Sequence, residues 1–173
     1  MEGLPSIEEA NLLPPAAAVA AARPLFEASP ALEAALAAAR PWASWESVIE
    51  LAERFIAGLL RENKFAEARA VLSAHPAIGA DPAKLSADSR AEQGAASDPR
   101  VLEKLARLNR EYEEKFGFRF VVFVNGRPKE QILEVLEQRI KSDSPQLEME
   151  TALKAMMDIA RDRLRKKTQK GKL

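Results

Sequence analysis

Behind Trp45 the apolar residues Val48, Leu51, Ala52, Phe55, Ile56 and Leu59 return at steps of three and four, the stripe of an amphipathic helix that buries one face. Ser44 precedes the stripe as N-cap, and Ser47 sits three positions on, where a capping box usually carries an acid. A second helix is predicted from Asn63 to Ser73. It ends because His75 precedes Pro76, and a residue before proline is driven out of helical geometry. Ser86 or Asp88 caps a short helix that carries Glu92 and Gln93, and Asp98-Pro99 opens a longer one to about Lys115. Arg127-Pro128 starts another, to about Ser142, and Ser144-Pro145 starts the last. Upstream, Pro14, Pro15, Pro24, Pro30 and Pro41 divide an Ala/Leu-rich stretch into short helical pieces.

One stretch breaks the helical rhythm. Phe118 to Val124 is β-branched and aromatic and stops at Asn125-Gly126, the composition of a strand. With no second such stretch to pair with, it reads as a buried extended connector. The expectation is an all-α, single-domain bundle over residues 1–173, with about eight helices, one apolar connector and a short basic tail at 165–173.

Length and composition narrow the function. At 173 residues, 47% of them hydrophobic and 30% charged, the chain suits one folded domain with a real core. Lys plus Arg and Asp plus Glu each number 26, so no overall charge draws it to nucleic acid or an anionic membrane. The basic tail lacks the interleaved aromatics of a nucleic-acid site. The longest alanine stretch, Ala16 to Ala22, is far short of the ~20 residues of a membrane span. No basic-then-apolar leader is seen at the start, so a soluble intracellular protein is expected. With no cysteine, disulfide and thiolate chemistry are excluded. One histidine and no cysteine argue against a transition-metal site, and no glycine-rich phosphate loop is present. Neither metal nor cofactor is expected.

If the chain does acid–base chemistry, His75 carries it, because imidazole alone titrates near neutral pH, at roughly 6.5. A lone histidine is more often a packing or surface residue; here Pro76 fixes the direction of the backbone that bears it. A polar cluster follows within a short loop. In it Glu92 offers a carboxylate for orienting the imidazole or accepting paired N–H donors, Gln93 an amide, and Ser89 a hydroxyl. Their plainer roles are helix-terminus charge, surface and cap.

The run His75-Pro76-Ala77-Ile78-Gly79, with Ser89-Arg90-Ala91-Glu92-Gln93 after it, resembles the 2-oxo-4-hydroxy-4-carboxy-5-ureidoimidazoline (OHCU) decarboxylases of uric acid breakdown. The likeness continues collinearly through Leu108 to Val121, Gly126-Arg127-Pro128, Ile132-Leu133-Glu134 and Ile159 to Leu164. Ser6 to Asn11 and Arg23 to Phe26 resemble that family's start. The resemblance implies cofactor-independent decarboxylation of OHCU to (S)-allantoin, with His75 as general acid/base and Glu92 as its catalytic partner. It also implies substrate contacts from Pro76, Ser89, Gln93, Phe120, Val121, Val122, Phe123, Val124 and Arg163. Arg163 matches a late-helix arginine able to grip a carboxylate; the plain alternative is a solvated arginine like its neighbours Arg161 and Arg165. A homodimer is implied as well. Gly171-Lys172-Leu173 resembles the Ser-Lys-Leu address, so the expected compartment is the peroxisome or the cytoplasm. The competing readings are a noncatalytic helical interaction module and an allantoin-binding homologue without turnover.

Overall fold

In the computed structural model, residues 4–27, 29–94 and 98–170 are described. Among them are nine α-helices, one short 3₁₀ turn at Pro82–Lys84, and no strand. The helices are α1 (Ile7–Leu12), α2 (Pro15–Ala22), α3 (Pro30–Ala38), α4 (Trp45–Arg61), α5 (Phe65–Ser73), α6 (Ala87–Gln93), α7 (Pro99–Phe116), α8 (Lys129–Arg139) and α9 (Pro145–Lys170). The proline-rich start holds three helices, and two of them carry proline at the first helical position, where no amide proton is needed.

Local chemistry sets the boundaries. Ser44 and Ser47 exchange side chain-to-backbone bonds at 3.0 and 3.1 Å, a capping box with serine in the acid's place. Ser86, not Asp88, caps α6 through the Ser89 amide at 3.1 Å. Ser144 receives the Leu147 amide at 3.2 Å to start α9. Gly117 closes α7 in the left-handed conformation (φ 75°), which glycine adopts without strain. The helix after Arg127-Pro128 is shorter than the sequence predicts: it begins at Lys129 and ends at Arg139.

The α4 stripe packs on α9, α3 and α5, and α7 lies against α8. Val48, Ile49, Ala52, Ile56 and Leu59 of α4 are buried, with Leu51 and Phe55 at the margin. Phe118–Val124 runs between α7 and α8 outside any helix or sheet. Its first residues join a ring cluster in which Tyr112 meets Phe116, Phe118 and Phe120 at centroid distances of 4.6, 5.7 and 5.3 Å. Arg139 of α8 ties this cluster to α9. It donates to Glu148 at 2.8 Å and to the Val121 carbonyl at 2.8 Å, and it lies over the Phe120 ring at 4.8 Å. The connector is thereby fixed from three helices. Among the described residues, no helix is long and apolar enough to cross a membrane.

Candidate active site

The loop after α5 is held by side chains from elsewhere. His75 still donates its amide to Leu72 at 3.2 Å, and Pro76 then ends the turn. Arg119 donates to the His75 carbonyl at 3.0 Å, and Asn109 of α7 to the Ile78 carbonyl at 2.9 Å. Gln93 of α6 binds the loop twice, accepting from the Gly79 amide at 2.9 Å and donating to the Ala77 carbonyl at 3.1 Å. Gly79 takes φ +79°, a conformation that a side chain would strain. Four bonds of about 1 kcal/mol each fix where the His75 ring points.

That ring is 4% exposed, and neither Nδ1 nor Nε2 has a hydrogen-bond partner. Buried polar groups are nearly always paired, so an unpaired imidazole facing a cavity has both nitrogens available to a ligand. Burial, and then the positive charge of Arg163, lower its pKa to about 4; Glu27 pulls the other way and Arg119 adds to the lowering. At neutral pH the ring is uncharged, able to accept a proton at one nitrogen and donate from the other.

The depressed pKa has a consequence for stability. Above pH 6.5, the ordinary imidazole value, the ring is neutral in folded and unfolded chains alike. As pH falls from there towards 4, the unfolded chain takes up the proton and the folded chain refuses it, so stability falls. Between about pH 6.5 and pH 5 this amounts to roughly 2 kcal/mol. Urea denaturation at the two pH values should show that loss in the wild type and a flatter dependence in His75→Gln. Equal slopes would mean that the ring titrates normally.

Arg163, on α9, is 3% exposed, whereas Arg161 and Arg165 are on the surface. Its guanidinium meets Glu92 as a fork, Nε to Oε1 and Nη2 to Oε2, both at 2.7 Å. Nη2 also donates to the Ser89 hydroxyl at 3.1 Å, and Nη1 to Glu27 at 3.3 Å. Glu27 accepts from the hydroxyls of Ser89 at 2.6 Å and Ser86 at 2.7 Å. Burial pushes the Glu27 carboxyl up, but Ser89, Ser86 and Arg163 outweigh it and hold the group below the usual carboxylate range. Burial likewise opposes the charge on Arg163, and Glu92, Glu27 and Asp88 more than restore it, leaving its pKa raised. Lys167 adds a second bridge from α9 to α6, to Asp88 at 3.0 Å.

His75, Pro76, Ser89, Glu92, Gln93, Phe120 to Val124 and Arg163 all line one cavity, with Ile78 and Ile159 beside them. The structure thus brings together every residue singled out in the sequence, but it reassigns two. Glu92 does not orient the imidazole: Arg163 holds both its oxygens, and the imidazole has no hydrogen-bond partner. Gln93 is not a surface amide, since it braces the His75 loop and retains only its second proton and second lone pair for a ligand. Glu27 was missed, because no spacing links it to a partner 62 or 136 residues away. Ile159 was within reach of the sequence, lying one turn before Arg163 on the same helical face.

The connector contributes backbone. Arg139 occupies the Val121 carbonyl, and Arg127 those of Phe123 and Val124. The amides of Phe120 to Val124 have no protein acceptor among the described residues. These amides belong to residues that line the cavity with His75 and Arg163, a donor set that suits a flat, oxygen-rich heterocycle. Among the described residues, no group of three or more Asp, Glu, His or Cys is placed to hold a metal ion. The tripeptide Gly171-Lys172-Leu173 lies outside the described residues.

Comparison with known proteins points the same way. A model of the OHCU decarboxylase family matches residues 11–165. A 2-oxo-4-hydroxy-4-carboxy-5-ureidoimidazoline decarboxylase of Haloferax volcanii is 29% identical over 163 residues, covering 92% of this chain and 94% of that protein. One from Amia calva is 30% identical over 147 residues, covering 81% of each. A crystal structure of OHCU decarboxylase obtained in the presence of (S)-allantoin superposes with a TM-score of 0.64 at 24% identity, covering 83% of this chain and 94% of the other; it supports the fold.

Proposed function

This chain belongs to the OHCU decarboxylase family, carboxy-lyases of urate degradation, and from that premise we propose that His75 is the proton-transfer group of its reaction. The observation that carries the reading is a buried, neutral imidazole with two unpartnered nitrogens, in the cavity that Arg163 and the residues of the connector also line.

The substrate has a carboxylate and a hydroxyl on one ring carbon and a C=N bond at the next. When the carboxylate leaves as CO2, the electron pair forms a carbon–carbon double bond, and the imine nitrogen takes one proton from solvent. The product of that step is a planar enol. Neutral His75 accepts the enol hydroxyl proton, and the imidazolium returns it to the neighbouring carbon on one face, giving allantoin of one hand. The net change is loss of CO2 and uptake of one proton. Arg163 and the amides of Phe120 to Val124 hold the ring oxygens in register, which removes the orientational part of the barrier. Glu92 keeps the guanidinium aimed and, through its remaining lone pairs, accepts from the ureido N–H groups.

The test generates OHCU in situ from urate with urate oxidase and hydroxyisourate hydrolase and follows circular dichroism. Rapid growth of the (S)-allantoin signal is the expected result. Racemic allantoin at the spontaneous rate would leave a helical binding or interaction module. The proposal extends to a homodimer, to a chain without nucleic-acid or membrane partners, and to a peroxisomal setting. Sedimentation velocity, and a fluorescent fusion with and without Gly171-Lys172-Leu173, test the first and last of these.

A further inference from the structure

The cavity in front of His75 leaves the centre of a water molecule only about 30 Å³. One water needs ~10–15 Å³ on that measure, so two fit and a substituted heterocycle does not. A wall must therefore move to admit a ligand.

Two walls face roomier recesses. Glu92 and Gln93 line both the cavity and a recess of about 480 Å³ beside Gly126 and Lys129. Phe123 lines both the cavity and a recess of about 370 Å³, which is lined further by Asn125 and by Asp158, Arg161, Asp162 and Arg165 of α9. The first wall is locked. Glu92 is forked to Arg163, Gln93 is bonded at both ends of its amide, and Lys129 donates to the Gln93 carbonyl at 2.8 Å. The second is a lone phenyl ring. Within Phe120–Val124 every other residue is buried, and Phe123 alone is half-buried. Its main chain is pinned, since Arg127 donates to the Phe123 carbonyl at 2.5 Å and to the Val124 carbonyl at 3.1 Å. Side-chain rotation is then the cheapest motion available, and flips of partly exposed side chains are fast.

We infer that Phe123 is the gate of the His75 cavity, its ring turning outwards into the recess between Asn125 and α9 to let substrate in and product out. Its size sets the rate of access and the bulk of what is admitted. The backbone of the same residue stays in place as part of the binding wall. This rests on the decarboxylase reading only for the identity of the molecule that passes.

The single histidine allows a test that needs no turnover. Diethyl pyrocarbonate attacks neutral imidazole and is itself too large for the space in front of His75, so the ultraviolet signal of carbethoxyhistidine times the opening. Phe123→Ala is expected to react about tenfold faster than wild type or more, Phe123→Trp more slowly, and Lys129→Ala within about twofold of wild type. Opposite signs for smaller and larger side chains are not what simple loosening of the fold produces. Phe123→Leu, expected to be intermediate, serves if the alanine variant does not fold. Wild-type rates in the smaller variants, or acceleration only in Lys129→Ala, overturn the gate. So does a rate in Phe123→Ala that climbs with urea in step with the loss of helical signal, because global unfolding would then be the route.

Discussion

His75→Ala is expected to make (S)-allantoin no faster than OHCU decays by itself, a loss of about 10³-fold or more, while remaining folded. Both halves follow from the same geometry. The ring is the only imidazole in the chain, so no neighbour can take over its proton. It makes no hydrogen bond, so its removal leaves no partner stranded; what is lost is packing in a cavity that already has some space. A shift of a few degrees in Tm is the expected cost. Loss of stereochemistry accompanies loss of rate, because the residual product is protonated from solvent on either face. The measurement is circular dichroism of the reaction alongside a thermal melt of the variant. Retention of the wild-type (S)-allantoin rate in a folded His75→Ala protein would remove His75 from the mechanism.

The parts of this molecule that the sequence makes legible are those decided within a few residues. Pro15 and Pro30 start helices because their missing amide proton costs nothing there, and Pro76 stops one because of its steric demand on His75. Serines 44, 86 and 144 cap helices by reaching amides three positions on. The connector was readable as a break in the helices because β-branched and aromatic residues crowd it, and as unpaired because no second such segment exists. The helix after Pro128 is shorter than its composition suggests, since Ile140, Lys141 and Ser142 continue a helical composition while the chain turns to meet α9.

Longer-range pairing was not legible. Glu92 offers a carboxylate near an imidazole in sequence, and hydrogen-bonding logic sends one to the other. In the fold, a guanidinium 71 residues away presents two parallel donors, and a bidentate fork outcompetes a single contact to a neutral ring. Glu27 has no motif around it; its role is created only when α6 and α9 bring Ser86, Ser89 and Arg163 to it. Gln93 similarly gains its bracing task from the loop that happens to face it. His75 and its polar neighbours were foreseeable from chemistry and the rest of the site from the family resemblance, whereas their partners were a property of the packing.

Arg163 is where those partners make the largest demand on stability. Four of the five N–H groups of its guanidinium are engaged, by Glu92 twice, Ser89 and Glu27. Arg163→Met fills much of the same volume but leaves two carboxylates facing each other with their cation gone. Breaking a buried pair in this way costs about 3–5 kcal/mol, against about 0–1 for the exposed ion pair of Arg161 with Glu53 nearby. The sign of the pH dependence identifies the cause. The guanidinium is one of the groups holding the Glu27 carboxyl below the usual carboxylate range, so its loss moves that carboxyl upwards, and part of the destabilisation is relieved as pH falls towards the carboxylate range. That rise in stability on acidification runs opposite to the His75 effect and is absent from wild type. Adding Glu27→Gln and Glu92→Gln to Arg163→Met removes the stranded charges, so it should recover most of the stability and none of the activity, because the ring oxygens of the substrate still lack their cation. Urea midpoints at about pH 7 and pH 5 for the single and triple variants, with the allantoin assay on each, separate the two roles. A single variant equally stable at both pH values would show that the carboxylates find solvent when released. A triple variant that turns over OHCU at the wild-type rate would reduce Arg163 to scaffold.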